Sequence, residues 1–320
     1  MRCGRVAGSQ NKQRRNAPVS NRIADTLYEL ALANRIVAHE GIIDAFGHVS
    51  VRHPDDPNRY FLSRSRSPGL VEPGDILEYH LDSKPVREPE VTQYSERVIH
   101  GEIYKARPDV MAVCHHHAPS FMPLVSTGMD YVPVFHLGAT GGARPPFWDQ
   151  RDDFGDTNML VVKPEEGRSL AKALGQHWMV LMWRHGVTVA GRSLQDTVFR
   201  SIYSARNAEY QVQAKTAGAI APLTPGEVEL CARIATATTG LARSWEYWVH
   251  RLGKAGSLPP APVARRAAPK PVKSAKQISA GSGGRKTPAS TATKKTTKKT
   301  ANKKTTSKKS AKRSAKRKSR

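Results

Sequence analysis

Cysteine is scarce in this chain. Cys3, Cys114 and Cys231 are odd in number, scattered and never spaced Cys-x-x-Cys, which excludes a disulfide framework and points to a reducing compartment. No apolar run approaches the ~20 residues that a membrane helix needs, so no spanning anchor is expected. The basic stretch MRCGRVAGSQNKQRRNAP lacks the apolar core of a secretory signal, and a cytoplasmic location follows as the default expectation. Acidic residues are missing altogether from Arg251 to Arg320, which carries 23 Lys and Arg. Residues 1–250 hold 28 basic against 27 acidic side chains, so the formal charge of +24 belongs almost entirely to one end.

That asymmetry sets the domain reading. Although 320 residues would permit two domains, the expectation is a basic, disordered stretch over 1–19, one globular body over 20–250, and a disordered tail over 251–320. The tail turns from Pro/Ala-rich to Gly/Ser-rich to Lys-rich (TKKTTKKTANKKTTSKKSAKRSAKRKSR) and cannot bury enough surface to fold. Its expected partner is a polyanion, nucleic acid included, bound without sequence preference and with strong salt dependence. With no aromatic residue in the Lys-rich part, base stacking is disfavoured.

Within the body, Ser20 reads as a helix N-cap. Ile23, Leu27, Leu30, Ala33 and Val37 then recur at spacings of three and four, predicting an amphipathic helix to about Gly41. Short strands are expected over His48–Arg52, Tyr60–Ser63 and Ile76–Leu81, separated by Pro/Asp/Gly turns that suggest antiparallel pairing. A helix over Tyr94–Arg107 precedes a buried strand Val110–His117. Ala118-Pro119-Ser120 opens a helix, Val132–Leu137 reads as a strand, and the Gly/Pro-rich 138–155 reads as an irregular loop bordering a site. A helix from Lys163 to about Leu174, a hairpin WMVLMWRHGVTVAG, a long helix capped by Ser193, and another over Thr224–His250 complete the pattern. Mixed short strands and helices predict a sheet covered on both faces, in α/β/α layers.

The chemistry concentrates around YSERVIHGEIYKARPDVMAVCHHH. On a strand, successive side chains alternate, so His115 and His117 share one face while Cys114 and His116 take the other. Glu96 falls on the buried stripe of the preceding helix with Ile99 and Ile103. His185, at a Gly turn after an apolar strand, is a third candidate. A lone His-x-His is as often a polar edge as a ligand pair. Three imidazoles beside a carboxylate, however, are the donor set of a catalytic metal with an open position. Such a set suits Zn²⁺ first, and also Mn²⁺, Fe²⁺ and Co²⁺.

Four motif elements in order carry a resemblance. The turn Gly47-His48-Val49-Ser50, Glu96, the His115/His117 pair after eighteen intervening residues, and His185-Gly186 are similar to the class II aldolase/adducin family over about Ile23 to Ala217. The resemblance implies a three-layer α/β/α fold with a mainly antiparallel central sheet. It also implies metal ligation by His115, His117 and His185, proton transfer by Glu96, substrate contact at His48 and Ser50, and a homo-oligomer, commonly a tetramer. A metal so held polarises a substrate oxygen and stabilises an enolate, which arises both in aldol cleavage and in decarboxylation.

Substrate-side residues separate those reactions. Sugar-phosphate aldolases of the family place small residues about the phosphate; here Tyr94 and Ser95 precede Glu96, so Ser95 keeps only half of that pocket, and Ser63-Arg64-Ser65-Arg66-Ser67-Pro68 replaces an earlier phosphate loop. Arg64 and Arg66 are the expected carboxylate binders. The segment FLSRSRSPGLVEPGDILEYHLDSKPV resembles the family's decarboxylase branch, which acts on carboxylated aromatic ring-cleavage products and on dihydroxyphthalates. His136 stands where the aldolases use a Tyr acid from a neighbouring subunit, and Asp149 and Arg151 are weaker pocket candidates. His39, His53, His80, His100, His177 and His250 read as surface or packed residues. The expected function is thus a divalent-metal-dependent lyase decarboxylating a hydroxy- or oxo-substituted dicarboxylic acid. A ketose 1-phosphate aldolase and a non-catalytic adducin-like interaction protein stand as alternatives.

Overall fold

The computed structural model describes residues 19–261. The expectations for 1–18 and for the Lys-rich tail from 262 lie outside the described residues.

Helix α1 (Val19–His39) leads into a seven-stranded sheet. In chain order the strands are β1 (His48–Arg52), β2 (Arg59–Ser63), β3 (Ile76–His80), β4 (Ala112–His116), β5 (Phe147–Trp148), β6 (Met179–Met182) and β7 (Gly186–Gly191). In space they run β3-β2-β1-β4-β7-β6-β5. Every pairing is antiparallel except the last, where the two-residue β5 runs parallel to β6. The remaining helices are α2 (Arg97–Ala106), α3 (Met122–Thr127), α4 (Gln150–Phe154), α5 (Pro164–Leu174), α6 (Leu194–Ala217), α7 (Pro225–Ala235) and α8 (Thr238–Lys254).

Alternation along the strands divides the core in two. On one face Val49, Phe61, Cys114, Leu181 and Val187 pack under α1, α6 and α8 through Leu30, Ile36, Val198, Ile202 and Trp248. On the other, Leu62, Val113, Val180 and Ala190 pack under α2 and α5 through Ile99, Ile103, Leu170 and Leu174. Each such fully buried apolar side chain contributes about 1.5–3 kcal/mol relative to exposure. The expected three-layer α/β/α architecture with a mainly antiparallel sheet is what the chain adopts.

Several boundaries differ from the sequence reading. Val132–Leu137 is not a strand: Pro133 has no N–H to give a ladder, and two side chains of α6 take the neighbouring backbone groups instead. Asn207 accepts from Val134 N–H at 2.8 Å and donates to Val132 O at 2.9 Å, while Gln211 accepts from Val132 N–H at 3.0 Å and donates to Asp130 O at 2.7 Å. The 138–155 stretch is not wholly irregular; it holds a 3₁₀ turn over His136–Gly141 together with β5 and α4. Ser20 lies inside α1 rather than capping it. The single helix expected over 224–250 is two, because Thr236 bonds back to Ala232 O at 2.8 Å and Ala237 turns to extended backbone. The second of them runs on to Lys254 with Leu252 buried, so the ordered chain passes the expected boundary at 250.

Candidate metal centre and its surroundings

Two central strands and the helix before one of them assemble the centre. β4 pairs with β7 so that His115 lies opposite Thr188, and with β1 so that it lies opposite His48. His117 stands one residue beyond β4. His185 closes the tight loop between β6 and β7, and the loop approaches so closely that a Cβ on Gly186 would lie 2.4 Å from His116 O and 2.8 Å from His117 Cδ2. Gly47 is required for a similar reason: its backbone is left-handed (φ 111°) and a Cβ there would meet His115 O at 2.8 Å. Both glycines flank the histidines that the sequence singled out.

One nitrogen from each of His115, His117 and His185 lies within 4.8 Å of the others, and His115 Nε2 is 3.1 Å from His117 Nε2. His115 Nδ1 lies 3.1 Å from the Thr188 hydroxyl, which orients the ring so that its Nε2 faces the cluster. Burial keeps all three rings neutral: His115, lowered further by the neighbouring imidazoles, falls well below the usual imidazole range, His185, lowered further by His117, is pushed to about 4, and His117 is lowered although Asp44 pulls the other way. Neutral imidazole is the form that binds a metal. Three neutral imidazoles converging beside a carboxylate are a donor set that fits a divalent ion.

Glu96 is not inside α2 but at its N-cap position, since α2 begins at Arg97. Its Oε1 accepts from Val161 N–H at 3.0 Å and stands 3.7 Å from His185 Nε2, while Oε2 is 3.8 Å from His115 Nε2. Desolvation raises its pKa to about 7 against the opposing pull of Val161 N–H.

Behind the cluster runs a buried polar chain. His48 Nδ1 meets His100 Nε2 at 2.6 Å, His100 Nδ1 meets Ser50 Oγ at 2.6 Å, and Ser50 Oγ meets Tyr104 OH at 2.7 Å. Burial holds His48 at about 3 and lowers His100 far below its ordinary value. The His48 ring lies 4.6 Å from Tyr94 and 5.3 Å from His115, centroid to centroid. Ser50 is therefore corrected: fully buried with its hydroxyl engaged, it supports His100 and His48 rather than meeting substrate. His100 is indeed packed, but its part in this chain escaped the sequence reading; the spacing of four across Glu96, His100 and Tyr104 was the available signal.

The other expected residues scatter. Arg64 Nε binds Asp75 Oδ1 at 2.7 Å and Arg66 Nη1 binds Asp75 Oδ2 at 2.5 Å, so the expected carboxylate binders already share a carboxylate of their own chain. These two arginines and Glu72 N–H outweigh desolvation and hold Asp75 below the usual carboxylate range. Ser95 is exposed beside Glu96. His136 is exposed on a groove with Tyr203, Tyr247 and Trp248, on the layer opposite the cluster, so the chain does not bring it to its own centre. Asp149 and Arg151 pair with each other beside His185.

A central sheet whose adjacent strands and following loop converge three neutral imidazoles beside an N-cap glutamate forms a candidate metal centre in an α/β/α protein. The chain belongs to the class II aldolase and adducin family: residues 28–212 match the Class II Aldolase and Adducin N-terminal domain. It is similar to the decarboxylase tropJ of Talaromyces stipitatus, at 32% identity over 69% of this chain and 91% of that protein. It is also similar to a 3,4-dihydroxyphthalate decarboxylase of Arthrobacter keyseri, at 28% identity over 59% of this chain and 78% of that one. An L-fuculose 1-phosphate aldolase from Glaciozyma antarctica shares the fold, with TM-score 0.62 and 20% identity over 76% of this chain and 95% of that one. The class of activity is that of a lyase. No helix among the described residues is long and apolar enough to cross a membrane.

Proposed function

We propose that the protein is a divalent-metal-dependent carbon–carbon lyase that decarboxylates a hydroxy- or oxo-substituted dicarboxylic acid of the kind produced in aromatic ring degradation. The observation that carries this reading is the convergence of His115, His117 and His185, with Glu96 standing 3.7–3.8 Å from two of them. His115, His117 and His185 would hold the ion, Zn²⁺ before Mn²⁺, Fe²⁺ or Co²⁺. When bound, it supplies Lewis-acid polarisation of a substrate oxygen and stabilises the charge left as the neighbouring carbon–carbon bond breaks.

The chain's own groups do the remaining work. Glu96, raised to about 7, exchanges a proton readily near neutral pH, and Val161 N–H fixes the carboxyl that does so. As CO₂ leaves, Glu96 in this reading returns a proton to the carbon that held it. His48 forms a wall of the centre, oriented by His100 and Ser50. His136 can deliver a proton only to the centre of another copy, which suits the homo-oligomer, commonly a tetramer, that the family resemblance implies. Outside the catalytic body, the Lys-rich stretch is proposed to hold polyanions in dilute salt; duplex retention that survives removal of 262–320 would end that part of the reading.

Metal analysis of the full chain beside His115→Ala tests the centre. About one equivalent of divalent ion per chain, lost in the variant, is expected. CO₂ release from carboxylated ring-cleavage products or dihydroxyphthalates, and no aldehyde release from ketose 1-phosphates, is the expected activity. Aldehyde release alone would make it an aldolase; no metal after reconstitution would remove the enzyme reading.

A further inference from the structure

Beside His185 opens a cavity of about 210 Å³ that the scheme above leaves unused, walled by Trp148, Trp183, Asp149, Arg151 and Arg184. Among the described residues only three non-glycine residues have left-handed backbone, and two of them, Met159 (φ 69°) and Arg184 (φ 55°), line this cavity. At such a loop position glycine or asparagine is the easier choice, and an arginine persists there only because its surroundings hold it. Arg184 N–H donates to Val125 O at 2.8 Å, and His185 N–H to Met182 O at 3.0 Å. Consecutive residues thereby serve two places, His185 the metal cluster and Arg184 the cavity next to it.

The two arginines of the cavity are not equivalent. Asp149 accepts from Arg151 Nη2 at 2.7 Å, from its Nε at 3.2 Å and from its backbone N–H at 3.0 Å, and Asp152 and Asp156 add to the negative field around that guanidinium. Arg184 has a single ion-pair partner among the described residues, the same Asp149 oxygen at 3.7 Å. Its fork of donors is thus free to take an incoming anion. Arg64 and Arg66, by contrast, are closed on Asp75. The aromatic walls are fixed planes: Trp148 donates its indole N–H to Ser169 at 2.8 Å, and Trp183 meets Phe147 edge-on with centroids 5.4 Å apart. Flat apolar walls suit a conjugated ring or chain better than a polyhydroxylated sugar.

Resting on the lyase reading for the reacting end, we propose that Arg184 binds the second carboxylate of a planar, unsaturated or aromatic dicarboxylic acid whose other end reaches the His115/His117/His185 cluster. The site residue for substrate class is then Arg184, in place of the Arg64/Arg66 pair.

The test uses the full, metal-reconstituted chain and two unreactive probes, phthalate with two carboxylates and benzoate with one, followed by protein fluorescence. Phthalate should bind about tenfold tighter than benzoate. Arg184→Gln should erase that difference, Arg184→Lys should keep part of it as a point charge without the fork, and Arg64→Gln should leave it whole. Equal affinities in the unaltered protein, or a difference that survives Arg184→Gln, overturns the assignment; so does inorganic phosphate displacing a probe better than phthalate does. CO₂ release without the discrimination removes Arg184 and keeps the lyase. Discrimination without CO₂ release removes the lyase and leaves Arg184 as a carboxylate site.

Discussion

His115 and His116 are neighbours on β4, both fully buried, yet the pleat sends them to opposite layers of the molecule. His116 enters the face under α1, α6 and α8, where its ring meets Phe121 and its Nε2 finds no partner among the described residues; burial pushes its pKa to about 3. His115 enters the other face and meets Thr188, His117 and His48, with His185 edge-on at 5.0 Å. The first face also buries polar side chains, Asn34, Ser201, Asn207 and Gln211 among them, but these bond to backbone, whereas on the second Glu96, His100 and Tyr104 lie along α2 and its N-cap beside the histidines. The contrast teaches that a buried histidine becomes a site only where a neighbouring element supplies polar partners. Here that element is α2 with its N-cap, whose Glu96, His100 and Tyr104 lie one turn apart.

The comparison can be broken most sharply at Glu96. Glu96→Gln should keep the metal, since the imidazoles hold it, and lower kcat by about 10²- to 10⁴-fold; full turnover in a metal-replete Gln variant would take proton transfer away from this residue.

Acid should act on both faces at once. His48 and His116 are held at about 3, and His100 also lies well below the ordinary 6.5. Each binds fewer protons folded than unfolded. Stability is therefore full above about pH 6.5 and falls as pH drops from there toward 3, by about 1.4 kcal/mol per pH unit for each buried group. Thermal melts between pH 7.5 and 4.5 measure the slope, and a midpoint that does not move with pH would contradict the burial argument.

His116→Leu gives the smallest change and sharpens the contrast best. It removes an unpartnered buried nitrogen and only a long 3.3 Å acceptor for Ala118 N–H, so stability at pH 7.5 should shift by about 1 kcal/mol or less. Metal content should be unchanged and the acid slope shallower. Loss of metal in this variant would mean that the two faces are not independent.

Much of this was legible before any fold was seen. β1 occupies the expected His48–Arg52, and α5 and the Ser193 cap of α6 begin where their Pro and Ser signals place them. Strand alternation assigned His115 and His117 to one side. What failed did so for tertiary reasons: Val132–Leu137 has strand-forming residues, but Asn207 and Gln211, more than seventy residues away, claim its backbone groups. Arg64 and Arg66 looked available because nothing in their own segment showed that Asp75 folds back onto them. Arg184 passed unnoticed because an arginine beside a histidine carries no pattern until a left-handed loop turns it toward a cavity.

By itself, then, the sequence determined the layered fold and the neutral body with its polycationic end, and it singled out the four side chains of the candidate centre. These rest on local rules: the period of a strand or helix, turn chemistry, and composition. Only the tertiary structure decided which of the remaining polar groups are already satisfied and which are free. That depends on pairings between distant segments, such as Thr188 orienting the His115 ring and Asp149 holding Arg151 closely but Arg184 loosely. A polar side chain's role follows from what it already touches, and contact across the sheet has no period in the sequence.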